Sequence, residues 1–285
     1  MTGSPNVAQL VTQAPPDDEP ASSSSRPLPD SGTQPVAAPN YKDWPCKCFF
    51  WRSPEPKLAS VVPVVVEEIK QKQTQVEAAL PPPVANLPPP DAAQATEERP
   101  QLPPQSGDNM GRKTLVLDLD ETLVHSSFRV VSSADIIITV ELEGEQHSVF
   151  VRKRPGVDEF LSRVAQLYEV VVYTASMAKY ANPLLDELDR DNVVTFRLFR
   201  EACTRQTGGY VKDLSKLGRD LKDVIIIDNS PTCYALQPNN AIPIKTWRDD
   251  TSDRELLDLI PILYSLADVE NIPMVLKQIV WTADE

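Results

Sequence analysis

The chain has 285 residues, 24% of them charged, four cysteines and a net charge of −13; this bounds it to one large domain or two small ones and excludes a disulfide-stapled fold. Acid exceeds base in both parts, 8 basic against 13 acidic residues over 1–110 and 20 against 28 beyond, which argues against nonspecific nucleic-acid binding as the main task. No stretch approaches the roughly 20 apolar residues a membrane span needs, and no secretory signal is apparent.

Of the 28 prolines, 21 lie in residues 1–110. With proline clusters at 81–83 and 88–90, a serine run at 22–25 and little periodicity, this part cannot bury enough apolar surface to offset chain entropy, and it reads as a disordered or extended arm. Residues 111–285 read as the folded domain. Two stretches of the arm are apolar: 44–51, "WPCKCFFW", and 61–66. Cys46 and Cys48 beside aromatics could carry reversible palmitate and give a lipid-anchored pool. The spacing from Cys46 to Arg52 imitates thiol-based tyrosine phosphatases. That chemistry needs small residues whose N–H groups wrap a phosphate, and Phe49, Phe50 and Trp51 supply none.

From Lys113 onward strands and helices alternate. Residues 114–117 form a buried strand, and 136–142 with 148–151 form a hairpin turning near Glu143 and Gly144. Val157, Phe160, Leu161, Val164 and Leu167 recur at helical spacing behind Pro155 and Gly156, with Asp158 and Glu159 in the first turn. Residues 169–173 are a second buried strand. A helix over 177–189 restarts at Pro183, strands follow at 193–199 and 224–227, and helices close the chain at 252–266 and 269–280. This order predicts an α/β, doubly wound, mainly parallel sheet with a short β insertion after the first strand. Ligands of such sheets sit beyond the strands' carboxyl ends, where this chain places Asp118 with Asp120, Thr174, and Asp228 with Asn229.

Carboxylates at i and i+2 of an extended segment face one side, and their repulsion is relieved by a cation. Asp118, Asp120, Asp228 and Asn229 are all oxygen donors, the set that suits Mg²⁺. Thr174 and Lys212 complete a plausible phosphate site. Taken singly, each of these residues could as well be a turn, a cap or a solvated charge. With His125 and His147 the two histidines of the chain, the composition argues against a histidine-rich dimetal or phosphohistidine mechanism.

The strings "DLDETLVHSSF", "YTASMAKYA", "YVKDLSKLGRDL" and "IIIDNS", with "KRPGVDEFL" and "RLFRE", resemble the motifs of haloacid dehalogenase superfamily phosphatases. More narrowly, they resemble the small phosphatases acting on the C-terminal domain of RNA polymerase II, from about Arg112 to the end. The resemblance implies Asp118 as nucleophile, forming an aspartyl phosphate, and Asp120 as general acid then base, its pKa raised by crowding beside Asp118. It implies Mg²⁺ held by Asp118, the Asp120 carbonyl, Asp228 and Asn229, with Thr174 and Lys212 on the phosphoryl oxygens. About 30 residues between Thr122 and Arg152 are too few for a large cap, which leaves the site open to a peptide. Phe128, Val140, Leu142, Val149 and Met177 occupy the places of an apolar pocket for a proline near the phosphoserine, and Tyr180 and Arg200 those of contacts to the peptide. Val140, Leu142 and Val149 equally alternate as a half-buried core strand would. Arg152, Lys153 and Arg154 read as a solvated basic face. The expected protein is a Mg²⁺-dependent serine phosphatase, nuclear with a possible cytoplasmic pool, monomeric, and without direct nucleic-acid contact. The alternatives are the same chemistry on other phosphoproteins, such as signalling transcription factors, or a non-catalytic phosphopeptide-binding module.

Overall fold

Leu115, Val116 and Leu117 are fully buried, as a strand covered on both faces requires. They form β1 (Lys113–Leu117), the centre of a five-stranded sheet. The computed structural model describes residues 99–283 apart from 143 and 208; the 44–51 and 61–66 stretches, Cys46 and Cys48 lie outside the described residues.

A short insertion follows β1: β2 (Val124–Ser127), β3 (Ile136–Leu142) and β4 (Glu145–Lys153), antiparallel in the order β2-β4-β3. Along β3 buried and exposed residues alternate strictly, so Ile136, Ile138, Val140 and Leu142 face the body of the protein while Ile137 faces water. Next comes α1 (Val157–Val164), entered through Gly156 at φ 77°, where a Cβ would stand 2.6 Å from the Leu257 side chain. A left-handed entry that close to a neighbour is open to glycine alone. The chain continues through β5 (Tyr168–Tyr173), α2 (Ala178–Leu188), β6 (Phe196–Leu198), the small hairpin β7 (Thr204–Gln206) with β8 (Gly209–Val211), β9 (Val224–Asp228), β10 (Ala241–Pro243), α3 (Glu255–Leu266) and α4 (Ile272–Ala283).

The main sheet is parallel throughout, in the order β10-β9-β1-β5-β6. From β1 the chain winds outward to β5 and β6, then returns to β9 on the other side of β1. The order therefore reverses between β1 and β9, and the crevice in which open α/β sheets bind ligands lies beyond the carboxyl ends of the strands at such a reversal. On one face Leu115, Leu117, Val170, Val172, Ile225 and Ile227 share a core with residues of all four helices. On the other, Val116, Val171, Tyr173, Val224 and Ile226 pack with Leu102, Leu214, Leu217 and Tyr234, none of them in an α-helix. Single 3-10 turns at Leu214–Leu217 and Leu221–Asp223 do there what a helix does elsewhere.

Three expectations are corrected. The packed region reaches back before 111: Leu102 is 3% exposed, and the N–H groups of Gln101 and Leu102 donate to the carbonyls of Lys216 and Leu217. Helix α2 runs unbroken through Pro183, because its buried face of Tyr180, Ala181, Leu184, Leu185 and Leu188 outweighs one lost hydrogen bond. The strand expected over 193–199 shortens to β6, since the Asp189 carboxylate accepts from the N–H groups of Val193 and Val194 at 2.8 and 3.0 Å and withholds them from the ladder.

Candidate active site

At the end of β1 the chain keeps one more sheet bond, from Asp118 N–H to the Ile227 carbonyl at 3.0 Å, and then turns tightly. Glu121 adopts φ 58°, unusual for a residue with a side chain. Its N–H donates to the Val124 carbonyl at 2.7 Å, and Leu123 and Val124 donate back to the Leu119 carbonyl. This loop fixes Asp118 and Asp120 on either side of Leu119, both buried.

Asp118 faces β9. Lys212, with no exposed surface, donates from Nζ to Asp118 Oδ1 and to Asp228 Oδ2, each at 2.6 Å. Thr122 Oγ1 donates to Asp118 Oδ2 at 2.8 Å and lies 3.4 Å from Asn229 Oδ1. Burial works against the charge on Lys212, yet Asp118 and Asp228 more than offset this and hold its pKa well above the ordinary lysine value. Burial raises Asp228 to about 6, with Lys212 opposing and Asp118 adding to the rise. Ser230 N–H donates to the other Asp228 oxygen at 2.8 Å. Asn229 turns its amide nitrogen to Thr246 at 3.0 Å, so its oxygen is left on the side of Asp118.

Asp120 faces α2 instead. Ser176 Oγ donates to its Oδ2 at 2.7 Å, Tyr180 Oη to its Oδ1 at 2.6 Å, and Thr174 Oγ1 stands 3.4 Å away. Its pKa rises to about 8, first through burial and next through Glu121; Asp118 is the smallest of the named contributions. The direction matches the sequence expectation, but the leading cause is desolvation rather than crowding by Asp118.

The catalytic and metal-ligand candidates Asp118, Asp120, Thr174, Lys212, Asp228 and Asn229 thus converge at the switch point. Among the described residues no three His, Cys, Asp or Glu side chains form a metal cluster. An ion here would have to draw on carboxamide and main-chain oxygens as well. The donor set fits such an ion: two buried carboxylates face one ammonium, leaving net negative charge beside neutral oxygens, which is the environment a hard cation neutralises.

The peptide-contact candidates divide. Val140, Leu142 and Val149 are 2%, 7% and 0% exposed and belong to the core, whereas Phe128 and Met177 are partly exposed at its edge. Tyr180 is fully buried, so it offers no surface to a peptide. Arg200 spans the rim: its Nε donates to the Ala175 carbonyl at 2.6 Å and its guanidinium lies 5.1 Å from the Tyr210 ring centroid. Sequence reasoning left out Thr122, Ser126 and Ser176, although all three sit inside the quoted motifs. It also took Arg154 for a solvated residue. Arg154 is instead buried, doubly bonded to Asp253 at 2.8 Å and donating to the carbonyls of Thr122 and Lys245 at 3.1 Å.

A parallel sheet with an acidic switch point and a short β insertion is the architecture of haloacid dehalogenase-like phosphatases. The family described as "NLI interacting factor-like phosphatase" matches residues 113–273, and the chain belongs to it. A "Probable C-terminal domain small phosphatase" of Dictyostelium discoideum is 56% identical over 188 residues, 66% of this chain and 61% of that protein. The human "CTD small phosphatase-like protein" is 47% identical over 231 residues, 80% of this chain and 79% of that one. This chain therefore spans less than two thirds of the Dictyostelium protein's length. A solved structure of the fission yeast RNA polymerase II CTD phosphatase Fcp1 bound to beryllium fluoride is similar with a TM-score of 0.42 and 17% identity, over 61% of this chain and 64% of that one. So distant a likeness adds nothing about the site.

Proposed function

We propose that the protein is a Mg²⁺-dependent protein serine phosphatase working through an aspartyl phosphate, with phosphoserine beside proline in the RNA polymerase II C-terminal repeat as its favoured substrate. One observation carries the reading. A carboxylate at the crevice, Asp118, is held by Lys212 and Thr122, while a second two residues away, Asp120, is raised to about 8 by burial. Nucleophile and acid are thereby separated by environment rather than by residue type.

Asp118 attacks phosphorus, the bond to the serine oxygen breaks, and Asp120 gives its proton to that oxygen, leaving a serine hydroxyl, an aspartyl phosphate and an Asp120 carboxylate. Asp120 then takes a proton from water as the water oxygen attacks phosphorus and releases Asp118 with inorganic phosphate. Lys212, charged throughout, and Thr174 hold the phosphoryl oxygens. Mg²⁺ would be held by Asp118, the Asp120 carbonyl, Asp228 and Asn229, and it supplies charge neutralisation to the phosphoryl group. Phe128 and Met177, the candidates with exposed surface, offer an apolar edge for a proline. A nuclear location would follow from such a substrate.

The test is release of phosphate from a two-repeat polymerase-tail peptide phosphorylated at one serine. Turnover should need Mg²⁺, stop with chelation, and fall at least about a thousandfold in Asp118→Asn while peptide binding persists. Unchanged turnover in that variant would sink the mechanism.

A further inference from the structure

Tyr180 lies in the first turn of α2, one turn from Met177, with no exposed surface. A tyrosine hydroxyl at that depth must find partners, and it finds two. It donates to Asp120 Oδ1 at 2.6 Å, and it pairs with Ser126 Oγ, in β2, at 2.5 Å. Ser176 holds the other Asp120 oxygen at 2.7 Å. With one oxygen engaged by the residue ahead of the α2 cap and the other from the helix's first turn, the carboxyl cannot rotate without breaking a buried hydrogen bond.

We propose that Tyr180 is a positioning residue for proton transfer: braced by Ser126, it fixes the plane of the Asp120 carboxyl relative to the leaving oxygen. This rests on the reading of Asp120 as the general acid. The brace also joins the acid to the two elements that carry the apolar edge, since Phe128 directly follows β2 and Met177 caps α2. A side chain seated on that edge bears on both ends of the clamp.

The chemistry gives the inference a signature. A serine oxygen leaves poorly as an alkoxide and needs its proton as the bond to phosphorus breaks, whereas a nitrophenolate leaves without help. Misplacing the acid should therefore slow alkyl esters and spare activated aryl esters.

The test compares wild type, Tyr180→Phe and Ser126→Ala in Mg²⁺ on a phosphoserine peptide and on a series of substituted phenyl phosphates, with thermal melts of each. Tyr180→Phe keeps the buried ring. Its kcat/KM on phosphoserine, which is set before the common aspartyl phosphate is hydrolysed, should fall about tenfold, while kcat/KM on para-nitrophenyl phosphate loses less than about twofold, steepening the dependence on leaving group. Ser126→Ala should shift in the same direction by less, and it carries the comparison if Tyr180→Phe melts early. An equal fall in kcat/KM on every ester, or a fall on phosphoserine that is wholly a rise in KM at constant kcat, overturns the inference. A wild type inactive on all esters overturns the phosphatase reading, and this inference with it.

Discussion

Asp120 is the acid of the proposed mechanism, and the same burial that holds its proton also works against the fold. Its pKa rises from 3.8 to about 8, so the proton needed for the leaving group is present below about pH 8 and lost above it. Turnover should fall roughly tenfold per unit beyond that point, read from the alkaline limb of kcat/KM against pH, which reports the free enzyme. For stability the sign follows from proton counts. Between pH 3.8 and 8 the folded state keeps a proton that the unfolded chain has released, so stability declines as pH rises through this window. Asp120→Asn should flatten that decline, so that its stability relative to wild type improves as pH rises from about 4 to 8, as denaturant titration at several pH values would report. Asp118, Asp228 and Asn229 were legible in the sequence because each ends a hydrophobic run, where a parallel strand has no apolar reason to stop on acid. Tyr180 was legible as part of the site but not in its role, since its letter is the same whether its hydroxyl meets a peptide or a buried carboxyl.

The elements show the same division. The β3–β4 hairpin, α1 and the central strands follow from period two, period 3.6 and unbroken apolar runs, whereas β2, four residues long, was not foreseen. Strands β7, β8 and β10, three residues each, carry too few residues for any period to register. Arg154 is the sharpest case. Nothing in "RKR" tells which cation is solvated, yet Lys153 pairs outward with Asp158 while Arg154 is sealed inside. It binds the turn after β1 through Thr122, the segment at Lys245, and Asp253 just ahead of α3. Arg154→Met should leave Asp253 partly buried without its cation and cost about 3–5 kcal/mol in chemical unfolding. The double variant with Asp253→Asn should recover part of that loss, which a purely steric defect would not allow.

On the scale of the molecule, the segment ahead of β1 belongs to the domain. Leu102 fills the helix-free side of the sheet, Pro100 lies against Gly218 where a Cβ would come within 2.6 Å, and Gln101 Nε2 donates to the Ala202 carbonyl at 2.7 Å. Composition could not reveal this, because a proline-rich stretch with one leucine looks the same whether that leucine is buried or not. A chain starting at residue 111 should be less stable than one starting at 99 by about 2–4 kcal/mol, and equal denaturation midpoints would assign the segment no part in the fold. The placement of β1 has a kinetic consequence too. Its Thr114 pairs with Glu169 on one side and Val224 on the other, so neither neighbour is local. Collapse has to close two long loops before the central ladder is complete, which puts refolding in the slower range for α/β domains. A ribosome releasing the chain before residue 224 would yield a product that carries Asp118 but lacks the strand flanking β1 on that side.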